Sequence, residues 1–84
     1  MNYILKIALC ILLLAMKNDI LVSFGSRIRF LRKKQGLSQE QLAFKADLHR
    51  TYIGMIERGE KNITLLNIMK LAVALEISID KLFE

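Results

Sequence analysis

Cysteine and histidine occur once each in the 84 residues, proline and tryptophan not at all, and glycine four times. A lone cysteine, Cys10, cannot close an intramolecular disulfide, which excludes the stapled folds of small secreted domains. Cys10 and His49 together fall short of the four ligands of a structural zinc site, so no metal is expected. Without proline and with little glycine, the chain is neither collagen-like nor linker-rich. Strand-type alternation is also missing. No nucleophile–base spacing, glycine-rich phosphate loop or metal-ligand spacing is present, and the acids are scattered. An enzyme is therefore not expected, nor a cofactor. What remains is one small domain that needs tight helix packing or a partner subunit for stability.

Hydrophobic residues make up 54% of the chain and the formal net charge is +5. Neither is spread evenly. Fourteen of the first sixteen residues are apolar, whereas 17–84 hold 31 apolar residues in 68, about 46% and ordinary for a globular domain. Five cations, Arg27, Arg29, Arg32, Lys33 and Lys34, fall within eight residues with no acid between them. The rest of the chain balances eight basic against eight acidic residues. Charge focused this way is either a solvated helix face or an attractor for an anionic partner, a nucleic acid or a membrane surface.

Residues 7–16 form an uninterrupted apolar run of ten. A membrane span needs about 17–25 such residues. The run matches a signal-peptide core in length, but the preceding segment is weakly charged and no small-x-small cleavage site follows. Cys10 also lacks the small residue expected before a lipidated cysteine. A third reading makes Met16 the true start, with 1–15 translated from upstream sequence; intact mass of the natively expressed protein decides it. Leu, Ala and Met dominate the segment, so it is expected to be helical. Being apolar all round, it must bury against a second subunit, in a membrane or in an aggregate. The expected organisation is an apolar extension over 1–16 and a helical domain over 17–84.

Within that domain the apolar spacing predicts five short helices. Phe24, Ile28 and Leu31 define one over about 20–35, stopped by Gly36. Ser38 with Gln41 forms a capping box that starts a second at Gln39, running to about 46 with Leu42, Ala43 and Ala46 on one side. A turn, Asp47-Leu48-His49, leads to a third over about 50–58 that buries Ile53 and Ile56 and ends at Gly59. Thr64 caps a fourth over about 65–75, with Ile68, Leu71, Ala72 and Leu75 inward. Ser78 caps a last one over 79–83. Two short helices joined by a three-residue turn are a helix-turn-helix arrangement, in which small Ala43 permits close approach and Leu48 plugs the turn.

The string Gly36-Leu37-Ser38-Gln39-Glu40-Gln41-Leu42-Ala43, with Ile28-Arg29-x-Leu31-Arg32 before it and Tyr52-Ile53-Gly54-x-Ile56-Glu57-Arg58-Gly59 after it, resembles the Cro/repressor (Xre-type) helix-turn-helix family. Leu71-Ala72-x-Ala74-Leu75 and Ile79-Asp80-x-Leu82-Phe83 fit the same pattern. Leu48-His49-Arg50-Thr51-Tyr52-Ile53-Gly54 looks most like the controller proteins of restriction–modification genes. The resemblance covers about residues 20–84, and the apolar N-terminal segment departs from it. It implies an all-α, five-helix lambda-repressor-like domain acting as a cytoplasmic, sequence-specific transcription regulator. Its partner is double-stranded DNA, bound as a homodimer on a palindromic operator. Competing readings are a membrane-tethered or self-associating protein acting through residues 3–22, and an antitoxin-like protein-binding module.

The second helix of such a pair enters the major groove and its first residues meet base edges. Arg50 suits guanine O6 and N7, or else a phosphate or the open surface; Thr51 suits a thymine methyl, a base edge or a phosphate. Met55 and Gly54 lie one turn on. Gln39, at a helix start whose free N–H groups favour phosphate, heads the backbone contacts, followed by Tyr52, Arg58, Lys61 and Asn62. Tyr52 serves equally as core-edge packing. Arg27, Lys33 and Lys34 are expected to act at long range. The resemblance implies a structural ion pair between Arg32 and Glu57. His49 is expected to cap or lie at the surface, with a phosphate contact as the lesser alternative. Leu66, Met69, Val73, Ile77 and Ile79 are expected either to form the dimer interface or to complete the monomer core.

Overall fold

The computed structural model describes residues 3–15 and 17–84. Met16, the alternative start, lies outside the described residues. The elements are α1 (Tyr3–Ala15), α2 (Lys17–Lys34), α3 (Gln39–Ala46), α4 (Arg50–Glu57), α5 (Leu65–Leu75) and a closing 3-10 helix (Ile79–Phe83). No strand occurs among the described residues. The expected all-α class and its five post-extension helices are therefore observed.

Side chains that share one core come from every element after α1. Ile28 of α2, Leu42 of α3, Ile53 and Ile56 of α4, Leu71 and Leu75 of α5 and Leu82 of the 3-10 helix are fully buried. Each such burial contributes about 1.5–3 kcal/mol before entropy is charged against it. Leu37, Leu48, Ile68 and Ile77 pack against this cluster from its edge. Among the described residues α1 supplies no core side chain; Tyr3, Ile4, Leu5, Ile7, Leu9, Ile11, Leu12 and Leu13 all remain exposed. No helix among the described residues is long and apolar enough to cross a membrane.

Helix starts follow local chemistry closely. Gln41 N–H donates to Ser38 Oγ at 3.0 Å, and Ser38 N–H donates to Gln41 Oε1 at 2.8 Å, completing the capping box. Thr64 Oγ1 accepts from Asn67 N–H at 3.2 Å. Two expectations change. α2 begins at Lys17 rather than near 20, because nothing in the polar stretch opposes helix and Asp19 suits the positive end of the dipole. Ser78 has extended cap geometry but makes no side-chain cap bond. The Asp80 carboxyl is held below its ordinary range, chiefly by the neighbouring Ser78 hydroxyl.

Four helices stop in one way. A left-handed residue follows each: Gly36 (φ 71°) after α2, Asp47 (φ 54°) after α3, Gly59 (φ 73°) after α4 and Glu76 (φ 58°) after α5. The next residue donates its N–H back to the carbonyl five positions earlier: Leu37 to Arg32, Leu48 to Ala43, Glu60 to Met55 and Ile77 to Ala72. This is the Schellman motif, whose last residue ordinarily makes an apolar contact with the helix it closes. Leu37, Leu48 and Ile77 do pack on the core; Glu60 does not.

A close crossing sets α2 against α4. A Cβ built on Gly25 would lie 2.1 Å from the Ile56 carbonyl oxygen and 2.9 Å from that of Glu57. Only glycine permits the approach. Nearby, a Cβ on Gly59 would fall 2.8 Å from Val22 Cα. Thus the backbone of α2 packs directly against the backbone at the α4 C-terminus.

Candidate nucleic-acid interface

α3, the turn through Asp47, Leu48 and His49, and α4 form the helix pair expected from the spacing. Asp47 in the left-handed region turns the chain, and Leu48 anchors the turn on the core. His49 caps α4: its Nδ1 accepts from Thr51 N–H at 3.1 Å, so that ring nitrogen carries no proton in this geometry.

This construction leaves Arg50 and Thr51 exposed in the first turn of α4, with Met55 half-buried one turn along. Gly54 between them is buried, since the Arg58 guanidinium lies across it: a Cβ there would sit 3.1 Å from Arg58 Nη1 and 3.6 Å from Gln39 Oε1. Gln39, Gly54 and Arg58 are thereby neighbours, joined across the α3–α4 pair.

Beneath them is a buried charge network. Arg32 donates from Nε and Nη2 to the two Glu57 carboxylate oxygens at 2.7 and 3.0 Å, and from Nη1 to the Leu37 carbonyl at 2.7 Å. Gln39 Nε2 donates to Glu57 Oε1 at 3.1 Å. The fork geometry satisfies an ion pair that is otherwise costly to bury. No buried side-chain polar atom among the described residues lacks a partner.

Tyr52 combines both roles weighed for it. Its ring packs at the core edge, while its hydroxyl accepts from Asn67 Nδ2 at 3.0 Å, tying α4 to α5. Arg58 is exposed and donates from Nε and Nη2 to Glu60 at 2.8 and 3.2 Å. That hydrogen bond, aided by charge, holds the Glu60 carboxyl below its ordinary range and raises Arg58. Lys61 and Asn62 are exposed in the following loop.

The basic stretch of α2 is less uniform than its sequence. Arg32 is neutralised inside the protein. Arg27 donates to the Lys81 carbonyl at 3.0 Å and pairs with Glu84 at 3.3 Å, clasping the C-terminus instead of standing free as a long-range attractor. Among the described residues, Arg29, Lys33 and Lys34 carry no ion pair and remain exposed.

The helix-turn-helix family pattern matches residues 28–82, about two thirds of the chain. Control protein C.BamHI of Bacillus amyloliquefaciens is 51% identical over 63 residues, 74% of this chain and 78% of that one. Control protein C.MunI of a Mycoplasma species is 45% identical over 67 residues, 79% and 90% of the two chains. This chain belongs to the helix-turn-helix controller proteins. The crystal structure of the restriction-modification controller protein C.AhdI from Aeromonas hydrophila superposes with a TM-score of 0.74 at 56% identity, over 75% of this chain and 96% of that one. The controller protein described here is accordingly a DNA-binding transcription regulator.

Among the contacts of this controller protein that the sequence did not reveal are Tyr52–Asn67, Arg58–Glu60 and the Gly25 crossing. Of these, Arg58–Glu60 carried a signal, because Arg58-Gly59-Glu60 places an acid where the Schellman pattern calls for an apolar residue.

Proposed function

We propose that residues 17–84 act as a homodimer that reads a palindromic operator and so controls restriction–modification genes, with residues 1–16 as an extension outside the DNA-binding unit. The observation that carries this reading is the exposure of Arg50 and Thr51 at the start of α4, with their backbone already positioned by the His49 cap. In this reading Arg50, Thr51 and Met55 meet base edges. Gln39, Tyr52, Arg58, Lys61 and Asn62 hold phosphates and fix the register.

Dimerisation is supported by an apolar stripe on α5. Leu66, Met69 and Val73 recur at helical spacing and are 64%, 48% and 74% exposed. Ile79, in the closing 3-10 helix, is 40% exposed, whereas Ile77 packs on the monomer core and contributes least. Two such domains in two-fold symmetry would present their α4 helices about one DNA turn, roughly 34 Å, apart.

Selection of binding sites from a random DNA pool tests the reading. Arg50→Ala is expected to weaken binding to the selected site by about 1–3 kcal/mol and to relax the preference at one base pair per half-site. Unchanged selectivity would remove Arg50 from base reading.

A further inference from the structure

Of the four Schellman turns, the one after α4 breaks the pattern. Leu37, Leu48 and Ile77 occupy the closing position in the other three and pack inward. Glu60 occupies it here, held by its own N–H to the Met55 carbonyl at 2.9 Å. The turn thus fixes where an acid stands on the DNA-facing side of the molecule. Its carboxylate meets the Arg58 guanidinium through two bonds, at 2.8 and 3.2 Å. The same guanidinium lies across Gly54, beside Gln39 at the start of α3. Planar, two-bond occupation of a guanidinium is also how a phosphate engages arginine.

We propose that Glu60 sets an upper limit on DNA affinity by occupying Arg58 in the free protein as an internal substitute for a DNA phosphate. The proposal rests on the reading of Arg58 as a phosphate contact. Binding DNA then exchanges one anion for another at Arg58, so the guanidinium contributes only the difference between the two. The carboxylate released faces the DNA backbone and adds repulsion. Neither effect touches sequence choice, since phosphate carries no base information. An acid at this position therefore lowers affinity for all sequences alike.

A double-mutant cycle on the full chain tests this, with a random-sequence duplex of about three helical turns as probe in about 0.1 M salt. Both side chains are about half exposed, at 56% and 51%, so Glu60→Gln and Arg58→Ala are expected to leave the thermal midpoint nearly unchanged. Glu60→Gln is expected to tighten binding by about two- to fivefold, the range of an exposed ion pair. Arg58→Ala is expected to cost more affinity on the Glu60→Gln background than on the wild-type background. Equal or smaller losses on the Glu60→Gln background would overturn the proposal while keeping Arg58 as a phosphate contact. No loss on either background would remove Arg58 from the interface, and the proposal with it. Weaker binding by Glu60→Gln alone would also overturn it, making Glu60 a residue that positions Arg58 for DNA.

Discussion

Arg32 reaches Glu57 through two nitrogens and the Leu37 carbonyl through the third, while Gln39 adds a bond to the same carboxylate. One buried ion pair thus ties α2, the loop after it, α3 and α4 together. Arg32→Ala would strand Glu57, whose side chain is 2% exposed, and is expected to cost about 3–5 kcal/mol. The midpoint of urea unfolding measures this; a loss below about 1 kcal/mol would mark the pair as no more than a surface bridge. The network also bears on Gln39. To meet a phosphate, its amide must leave Glu57 or share its second N–H, so its contact is geared to the core. At this scale the sequence was readable where chemistry is local, as with Ser38, Thr64 and His49. It was silent where partners are distant, as with Tyr52 and Asn67, fifteen positions apart and brought together only by packing.

Helix limits were legible because starts and stops depend on neighbours within one turn. Ser38 and Gln41 announce α3, and Gly36 and Gly59 announce two of the left-handed stops. Asp47 and Glu76 fill the other two without glycine, which local pattern reading recovers less easily. How α2 crosses α4 was not legible. Gly25 sits mid-helix, where glycine costs about 1 kcal/mol relative to alanine on propensity alone. Its reason is the α4 backbone at 2.1 Å from a notional Cβ. Gly25→Ala is therefore expected to destabilise despite its better propensity, by at least about 1–3 kcal/mol, as an overpacked core does. A raised melting temperature for that variant would show that the crossing yields easily. α4 would shift with α2, carrying Arg50 and Thr51 away from their presented geometry.

For the whole molecule, the uneven hydrophobicity of the sequence corresponds to a physical separation. Residues from α2 onward converge on one core, and the large apolar side chains described in α1, from Tyr3 to Leu13, stand in the open. The expected dimer uses α5 and not α1. In sedimentation at micromolar concentration, a chain starting at Met16 is expected to be dimeric, and Val73→Lys to make it monomeric. A monomer before substitution would move association to α1 or to the DNA. The domain's order of assembly follows from its helix stops. Each left-handed turn closes between residues only five apart, so each helix and its end can form from nearby chain. What remains to be found over distance is how the helices pair: Arg32 with Glu57, 25 positions apart, and the Gln35 amide with the Leu75 carbonyl, 40 apart, are two such ties. With no proline in the chain, no peptide-bond isomerisation delays that search. The domain is expected to refold in one phase within milliseconds, as helical domains of local topology do, in stopped-flow measurements. A regulator made this way has each domain folded almost as soon as its chain is released, so in the dimeric reading the meeting of two chains, and with it their concentration, sets when operator binding begins.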